Sequence, residues 1–289
     1  MITLVPTPIG NLGDISLRAL EAIDQSEVVL CEDTRVTKKL FSLLKKNPLI
    51  FDHFPNIFKE KCFFSFHSHN QEEFLKTHQI DFFQQNVVFL SDAGMPCIND
   101  PGALLVSFAQ KHHIAYDIVA GSNACLLAYC MSGIINDGFI FGGFLPHKRE
   151  DRRACLREFF SHTDMQRDLS VIFYESPHRI LEAMRDIDFV DKECEVFAIK
   201  EMTKRNQKFF KGKAYEVLEI LKDQNINGEW VLLLSPQKKK KQMINIDEIL
   251  QMDLPPKIKA KILARAMDTS PKDLYEQLIK QRDFKINMI

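Results

Sequence analysis

The chain has 289 residues, enough for two domains with cores of their own. Hydrophobic residues make up 45% and charged residues 27%, the balance of a soluble globular protein, and no apolar run approaches the roughly 18 residues of a membrane span. The formal net charge of -1 at pH 7 excludes a global pull toward nucleic acid, so any such contact must come from local basic patches.

The opening run Met1-Ile2-Thr3-Leu4-Val5-Pro6 reads as a strand start without a basic leader, so no signal peptide is expected. Apolar runs predict strands at 2–7, 28–33, 63–67 and 87–92, with helical patterns at 16–23, 34–44, 72–85 and 103–111. Ser16 ahead of Leu17, Leu20 and Ile23 is an expected N-cap before an apolar stripe. This alternation implies a mainly parallel, doubly wound sheet. A second series begins near Tyr116 with strands at 116–120, 139–143, 169–175, 195–201, 208–213 and 230–234. Its helices are expected at 122–131, around 150–160, from Pro177 with Ser176 as cap, and at 215–222. An antiparallel pairing of 208–213 with 230–234 would make this second sheet mixed. The expected fold is therefore α/β, with two α/β domains at 1–116 and 117–236 enclosing a cleft. A linker with the run Lys238–Lys241 and a small helical extension complete it at 237–289, with helices at 246–251, 256–267 and 271–281.

Seven cysteines are scattered without a CxxC pair, mostly in apolar runs, which reads as reduced core thiols of a cytoplasmic protein. His67 and His69 share one strand face, yet no third ligand follows at a sensible spacing, so no metal is expected.

The chemistry concentrates in Ser91-Asp92-Ala93-Gly94-Met95-Pro96-Cys97-Ile98-Asn99-Asp100-Pro101-Gly102, directly after the apolar run Val87–Leu90. Glycines permit close backbone approach to a ligand, prolines hold the loop, and aspartates accept hydrogen bonds from ribose or amine groups. Four other strand ends carry similar turns: Val5–Asp14, Cys31–Arg35, Val119–Ala124 and Phe173–Arg179. In a doubly wound fold such ends share a rim and converge on one cleft. There is no GxxxxGK[ST] and no GxGxxG after a strand, so a nucleoside-like ligand without a pyrophosphate is expected. Basic clusters recur at Lys38-Lys39 with Lys45-Lys46, His147–Arg149 with Arg152-Arg153, and Lys204-Arg205 with Lys208; the last two flank predicted strand ends near the cleft.

Taken in order, TPIGNLGDISLRAL (Thr7–Leu20), CEDTR (Cys31–Arg35), SDAGMPCINDPG (Ser91–Gly102), GFLPHK (Gly143–Lys148), FYESPHR (Phe173–Arg179) and KEMTK (Lys200–Lys204) resemble the tetrapyrrole methylase superfamily. Within it the pattern is similar to the branch that methylates cytidine 2'-oxygens in small-subunit ribosomal RNA. The chain departs from that pattern where Ala120-Gly121 stands for a Pro-Gly pair, and at Met95, Asn99 and Lys200. The resemblance implies S-adenosyl-L-methionine as cofactor, 16S rRNA within the assembled small subunit as substrate, and a homodimer. By motif position it implies cofactor contacts at Pro8, Ser91, Asp92, Ala93, Gly94, Ile98, Asn123, Ala124, Glu175, Met202, Thr203 and Gly228. A base for the ribose proton is sought among Asp33, Asp100, Glu175 and Glu201, with His178 and Arg179 orienting RNA and Arg35 either on a phosphate or paired with Asp33. The rival expectations are methylation of a porphyrin-like ring and a non-enzymatic ribosome-binding protein.

Overall fold

A computed structural model describes residues 1–78, 80–163, 168–237, 246–267 and 269–286. The chain forms two compact units, Met1–Lys238 and Lys239–Ile289.

The larger unit opens with β1 (Ile2–Val5), α1 (Leu17–Gln25), β2 (Val28–Cys31), α2 (Thr34–Leu44), α3 (Pro48–His53), β3 (Cys62–Ser65), α4 (Gln71–Thr77), β4 (Val87–Leu90), α5 (Ala103–Lys111) and β5 (Tyr116–Ile118). The five strands are all parallel in the order β3-β2-β4-β1-β5. Every residue of β1, β2 and β4 is buried, as expected where helices cover both faces. Val5, Val29 and Leu90 pack under α1 and α2, while Leu4, Leu30 and Phe89 meet Phe66, Phe74, Phe83 and Leu105 on the other side. Ser16 caps α1 as read, its Oγ accepting from the Ala19 N–H at 3.1 Å.

The predicted 72–85 helix is broken into α4 and a short 3-10 turn at Ile80–Gln84. Phe74 and Phe83 both enter one core, and nine residues along a straight helix would point them to opposite faces. Helix α3 is additional, started by Asn47, whose side chain accepts from the Leu49 N–H at 3.1 Å, and by Pro48 in the first turn.

The second series supplies α6 (Ala124–Ser132), β6 (Gly138–Phe144), α7 (Arg149–Thr163), β7 (Leu169–Glu175), α8 (Ile180–Val190), β8 (Glu195–Lys200), β9 (Lys208–Lys213), α9 (Ala214–Lys222) and β10 (Trp230–Ser235). The sheet order is β6-β7-β10-β8-β9. Strands β6 and β7 are parallel and the other neighbours antiparallel, so the sheet is mixed. The expected pairing of 208–213 with 230–234 is corrected: β9 and β10 flank β8 on opposite sides. The start of α8 is corrected as well. Ser176 does not cap it, because residues 176–179 form a turn closed by the Arg179 N–H donating to the Ser176 carbonyl at 3.2 Å.

The smaller unit holds α10 (Ile246–Gln251), α11 (Pro256–Met267) and α12 (Pro271–Ile286), with Ala260, Leu263 and Ala264 forming the buried stripe of α11. The expected lysine run at 238–241 lies outside the described residues. All seven cysteines are free thiols, but Cys62 and Cys130 are exposed rather than in the core. Among the described residues no helix is long and apolar enough to cross a membrane.

Candidate active site

The loop after β4 is shaped by backbone that few residues adopt: Gly94, Cys97, Asn99 and Gly102 all have positive φ. Gly94 (φ +82) pairs with Thr7 through two backbone hydrogen bonds of 3.0 Å, and the Ser91 hydroxyl donates to the Gly94 carbonyl at 2.6 Å. The loop after β4 is thereby fastened to the loop after β1. The loop after β5 joins them at Gly121, where a Cβ would lie 2.2 Å from Pro6 Cγ. That close approach accounts for the glycine although no proline precedes it.

These loops and the rim of the second sheet enclose a cavity of about 350 Å³. From the first series come Ile9, Ala93, Gly94, Met95 and Ile98 to Asp100, with Asn123 and Ala124 at the start of α6. Asn123 caps α6, its Oδ1 accepting from the Leu126 N–H at 3.1 Å. Opposite stand Phe144, Tyr174 to Pro177, and Glu229 to Val231. The lining is mostly apolar with a few polar groups, the usual composition of a small-molecule site.

Glu175 is the polar centre. It is 1% exposed, and its Oε1 accepts from the Ser176 N–H at 2.7 Å and pairs with the Arg179 guanidinium at 2.7 Å. Its other oxygen, Oε2, is buried and has no hydrogen-bond partner among the described residues. Burial pushes the carboxyl above its ordinary range, opposed by the Ser176 N–H and the nearby Arg179 and Arg152. A buried carboxylate oxygen with no donor is costly alone and favourable once a ligand N–H or O–H meets it.

The Glu175 side is braced from behind. Arg179 donates to the Leu145 carbonyl at 2.9 Å, and Arg152 donates to the His147 carbonyl at 3.1 Å. Arg152 is itself buried against Asp186 at 2.7 Å, with Arg153 on the same carboxylate at 2.6 Å. The GFLPHK segment is thus gripped by two arginines, one of which holds Glu175.

Asp100 lies across the cavity with its carboxyl pushed up to about 7 by burial, then by the charges of Glu32 and Asp92. Asp33 behaves oppositely. Paired with Arg35 at 2.6 Å and accepting the Arg35 N–H, it is held down at about 2.

Of the residues singled out by sequence, Ala93, Gly94, Ile98, Asp100, Asn123, Ala124 and Glu175 line the cavity. Pro8, Ser91, Asp92, Met202, Thr203 and Gly228 do not. Ser91 supports the loop from below, and Asp92 accepts the Asp33 N–H at 3.2 Å. Thr203 accepts the Asn11 N–H at 3.1 Å, and Met202 is buried. Gly228 and Glu201 line a separate depression. Asp33 and Arg35 stand at the α2 N-terminus, and His178 is exposed beside the cavity-lining Pro177. His67 Nδ1 accepts the His69 N–H at 3.2 Å, and among the described residues no cluster of His, Cys, Asp or Glu is arranged to hold a metal.

Glu229, Trp230 and Val231 lie in none of the motifs singled out from the sequence, whereas Ile9, Met95, Asn99, Phe144, Tyr174, Ser176 and Pro177 lie within those motifs without being named as contacts. Tyr174 adjoins the chosen Glu175 and was within reach. Glu229 and Trp230 were not, because they stand at the start of a strand and reach the rim only because β10 runs antiparallel to β7.

The chain is 44% identical over 286 residues to ribosomal RNA small subunit methyltransferase I of Helicobacter pylori, covering 98% of this chain and 100% of that one. It is 40% identical over 281 residues to the protein of the same name from Campylobacter fetus, covering 96% and 100%. Among solved structures it resembles diphthine synthase, with a TM-score of 0.56 at 14% identity over 82% of this chain and 90% of that one. The family model for tetrapyrrole (corrin/porphyrin) methylases matches residues 1–218, and the chain belongs to that family.

Proposed function

We propose that this protein is an S-adenosyl-L-methionine-dependent methyltransferase of small-subunit ribosomal RNA, acting on a cytidine ribose 2'-oxygen. The observation that carries the cofactor assignment is the cavity with the unpartnered buried Glu175 Oε2. The names of the relatives support ribosomal RNA as substrate, and the sequence motifs support the cytidine ribose and the assembled small subunit. A cytoplasmic location and a homodimer belong to the same reading.

The residues present suit the cofactor. Glu175 supplies a carboxyl group in the cavity wall, Gly94 exposes backbone without a side chain, and Ile9, Ala93, Ile98 and Ala124 provide apolar contact. When bound, S-adenosylmethionine supplies a methyl group on an electrophilic sulfonium. The chain's own work is positioning, since in-line approach of an oriented oxygen removes much of the entropic barrier. Arg179 and the Ser176 N–H fix Glu175, and the braced 145–148 segment fixes Arg179.

Four carboxylates were candidates for the proton acceptor, and their surroundings separate them. Asp33 is neutralised by Arg35, and Glu201 is held low by Lys204 and the Glu229 N–H. Glu175 is committed to Arg179. Asp100 lies in the cavity with a carboxyl near 7, matched to removing a proton at neutral pH, and takes the ribose hydroxyl proton.

The test is methyl transfer from labelled cofactor to purified small subunits, to free small-subunit rRNA and to a precorrin. Label in small-subunit RNA alone is expected. Label in the tetrapyrrole alone would overturn the substrate, and no transfer together with no calorimetric binding of cofactor would overturn the activity.

A further inference from the structure

Beside the cavity lies a second depression of about 430 Å³, between the 201–207 turn joining β8 to β9 and the 225–228 segment before β10. Gly228 lines it and the next residue, Glu229, lines the cavity, so the two share a wall. Three cations face it: Lys200, Arg205 and Lys208. Lys200 is 5% exposed, its Nζ donating to the Asn225 and Asn227 carbonyls, and Lys208 donates to the Gln224 side chain at 3.4 Å. Arg205 is exposed and, among the described residues, none of the three cations is within ion-pair distance of a carboxylate. The one acid in the depression, Glu201, is already taken by Lys204 at 2.9 Å and by the Glu229 N–H at 3.1 Å.

A buried ammonium held by two carbonyls, with the Trp230 ring and the Lys204-paired Glu201 nearby, beside two cations that pair with no carboxylate among the described residues, leaves a concave site with excess positive charge. We infer that this depression binds a backbone phosphate of the RNA substrate, with Arg205 and Lys208 contacting the phosphate and Lys200 fixing positive charge at its floor. The inference rests on the RNA reading above. The shared wall gives it a purpose: a strand anchored there presents a neighbouring nucleotide to the cavity. Phosphate contacts position a nucleic acid without reading its sequence, which is the role a site adjoining the chemistry requires.

The experiment measures binding of a labelled single-stranded RNA as a function of salt for the wild type, Arg205→Ala/Lys208→Ala and a charge-matched control, Lys111→Ala/Lys192→Ala, at exposed lysines outside the depression. Each phosphate contact on a single strand contributes about 0.7 to the slope of log K against log salt, so the depression variant, which loses one phosphate contact, is expected to lose about 0.7 and the control nothing. Cofactor affinity and thermal unfolding are expected to stay at wild-type values, which excludes misfolding as the cause. Equal slopes for all three proteins would overturn the inference. So would a loss in the depression variant of stabilisation by inorganic phosphate at matched ionic strength with no change in RNA slope, which would mark a free-anion site. Absence of methyl transfer to small subunits would refute the activity proposal instead, and the RNA slopes would still judge the depression.

Discussion

Replacing Glu175 by Gln tests the cavity most sharply, because the substitution keeps the side chain's shape and removes its charge. In the wild type Oε1 is occupied by the Ser176 N–H and Arg179, both at 2.7 Å, while Oε2 is buried without a donor. The amide oxygen of Gln is expected to keep the Oε1 position, because Arg179 and the Ser176 N–H both donate there. The amide NH₂ then takes the place of Oε2 and presents a donor where the ligand needs an acceptor. A hydrogen bond to a charged group contributes about 1.5–3 kcal/mol, so the cofactor Kd is expected to rise by about tenfold to about 150-fold. Isothermal titration calorimetry with S-adenosylmethionine measures this directly, and thermal unfolding of the same sample reports the separate cost of weakening the Arg179 pair. A variant that binds cofactor within about twofold of the wild type while folding normally would refute the placement of Glu175 against the cofactor.

Four other substitutions probe the surroundings. Asp100, raised from 3.8 to about 7, keeps its proton in the folded protein at pH values where the unfolded chain has lost it. Its contribution to stability is therefore fully present below about 3.8 and is lost as pH rises to about 7. Asp100→Asn is accordingly expected to raise the thermal midpoint more at about pH 8 than at about pH 5. The same change should abolish the rise of methyl-transfer rate through about pH 7; unaltered pH profiles would remove Asp100 as the base. Asp186→Ala leaves Arg152, which is 1% exposed, with the exposed Glu182 as its remaining carboxylate partner among the described residues, and is expected to cost about 3 kcal/mol in urea unfolding. Asp117→Asn, at a pair with side chains 62% and 53% exposed, should cost less than about 1 kcal/mol. Gly121→Ala drives a methyl into Pro6 and is expected to destabilise by about 1–3 kcal/mol and to weaken cofactor binding; a neutral result on both would show that the loops separate freely.

Much of this architecture was written in local signals. Ser16 caps its helix, and the fully apolar runs at 28–31 and 87–90 are the central strands of a sheet covered on both faces. The glycine- and aspartate-bearing loop after β4 does line a cavity, with Asp100 and Glu175 on opposite walls. What escaped depends on long-range pairing. The position of β10 between β7 and β8, which carries Glu229 and Trp230 to the rim, leaves no trace in hydrophobic periodicity. Neither does the diversion of Ser176 from cap to turn, which follows from Arg179 reaching the Leu145 carbonyl 34 residues away. The four carboxylates likewise look alike as letters; only Arg35 beside Asp33, and burial with Glu32 and Asp92 around Asp100, pull their acidities apart.

The most direct test of the whole account is mass mapping of small-subunit rRNA after small subunits are incubated with the protein and isotopically labelled S-adenosylmethionine. A label on the ribose 2'-oxygen of a cytidine is predicted for the wild type, sharply reduced with Glu175→Gln. A label confined to bases, or one that survives loss of the Glu175 charge undiminished, would contradict it.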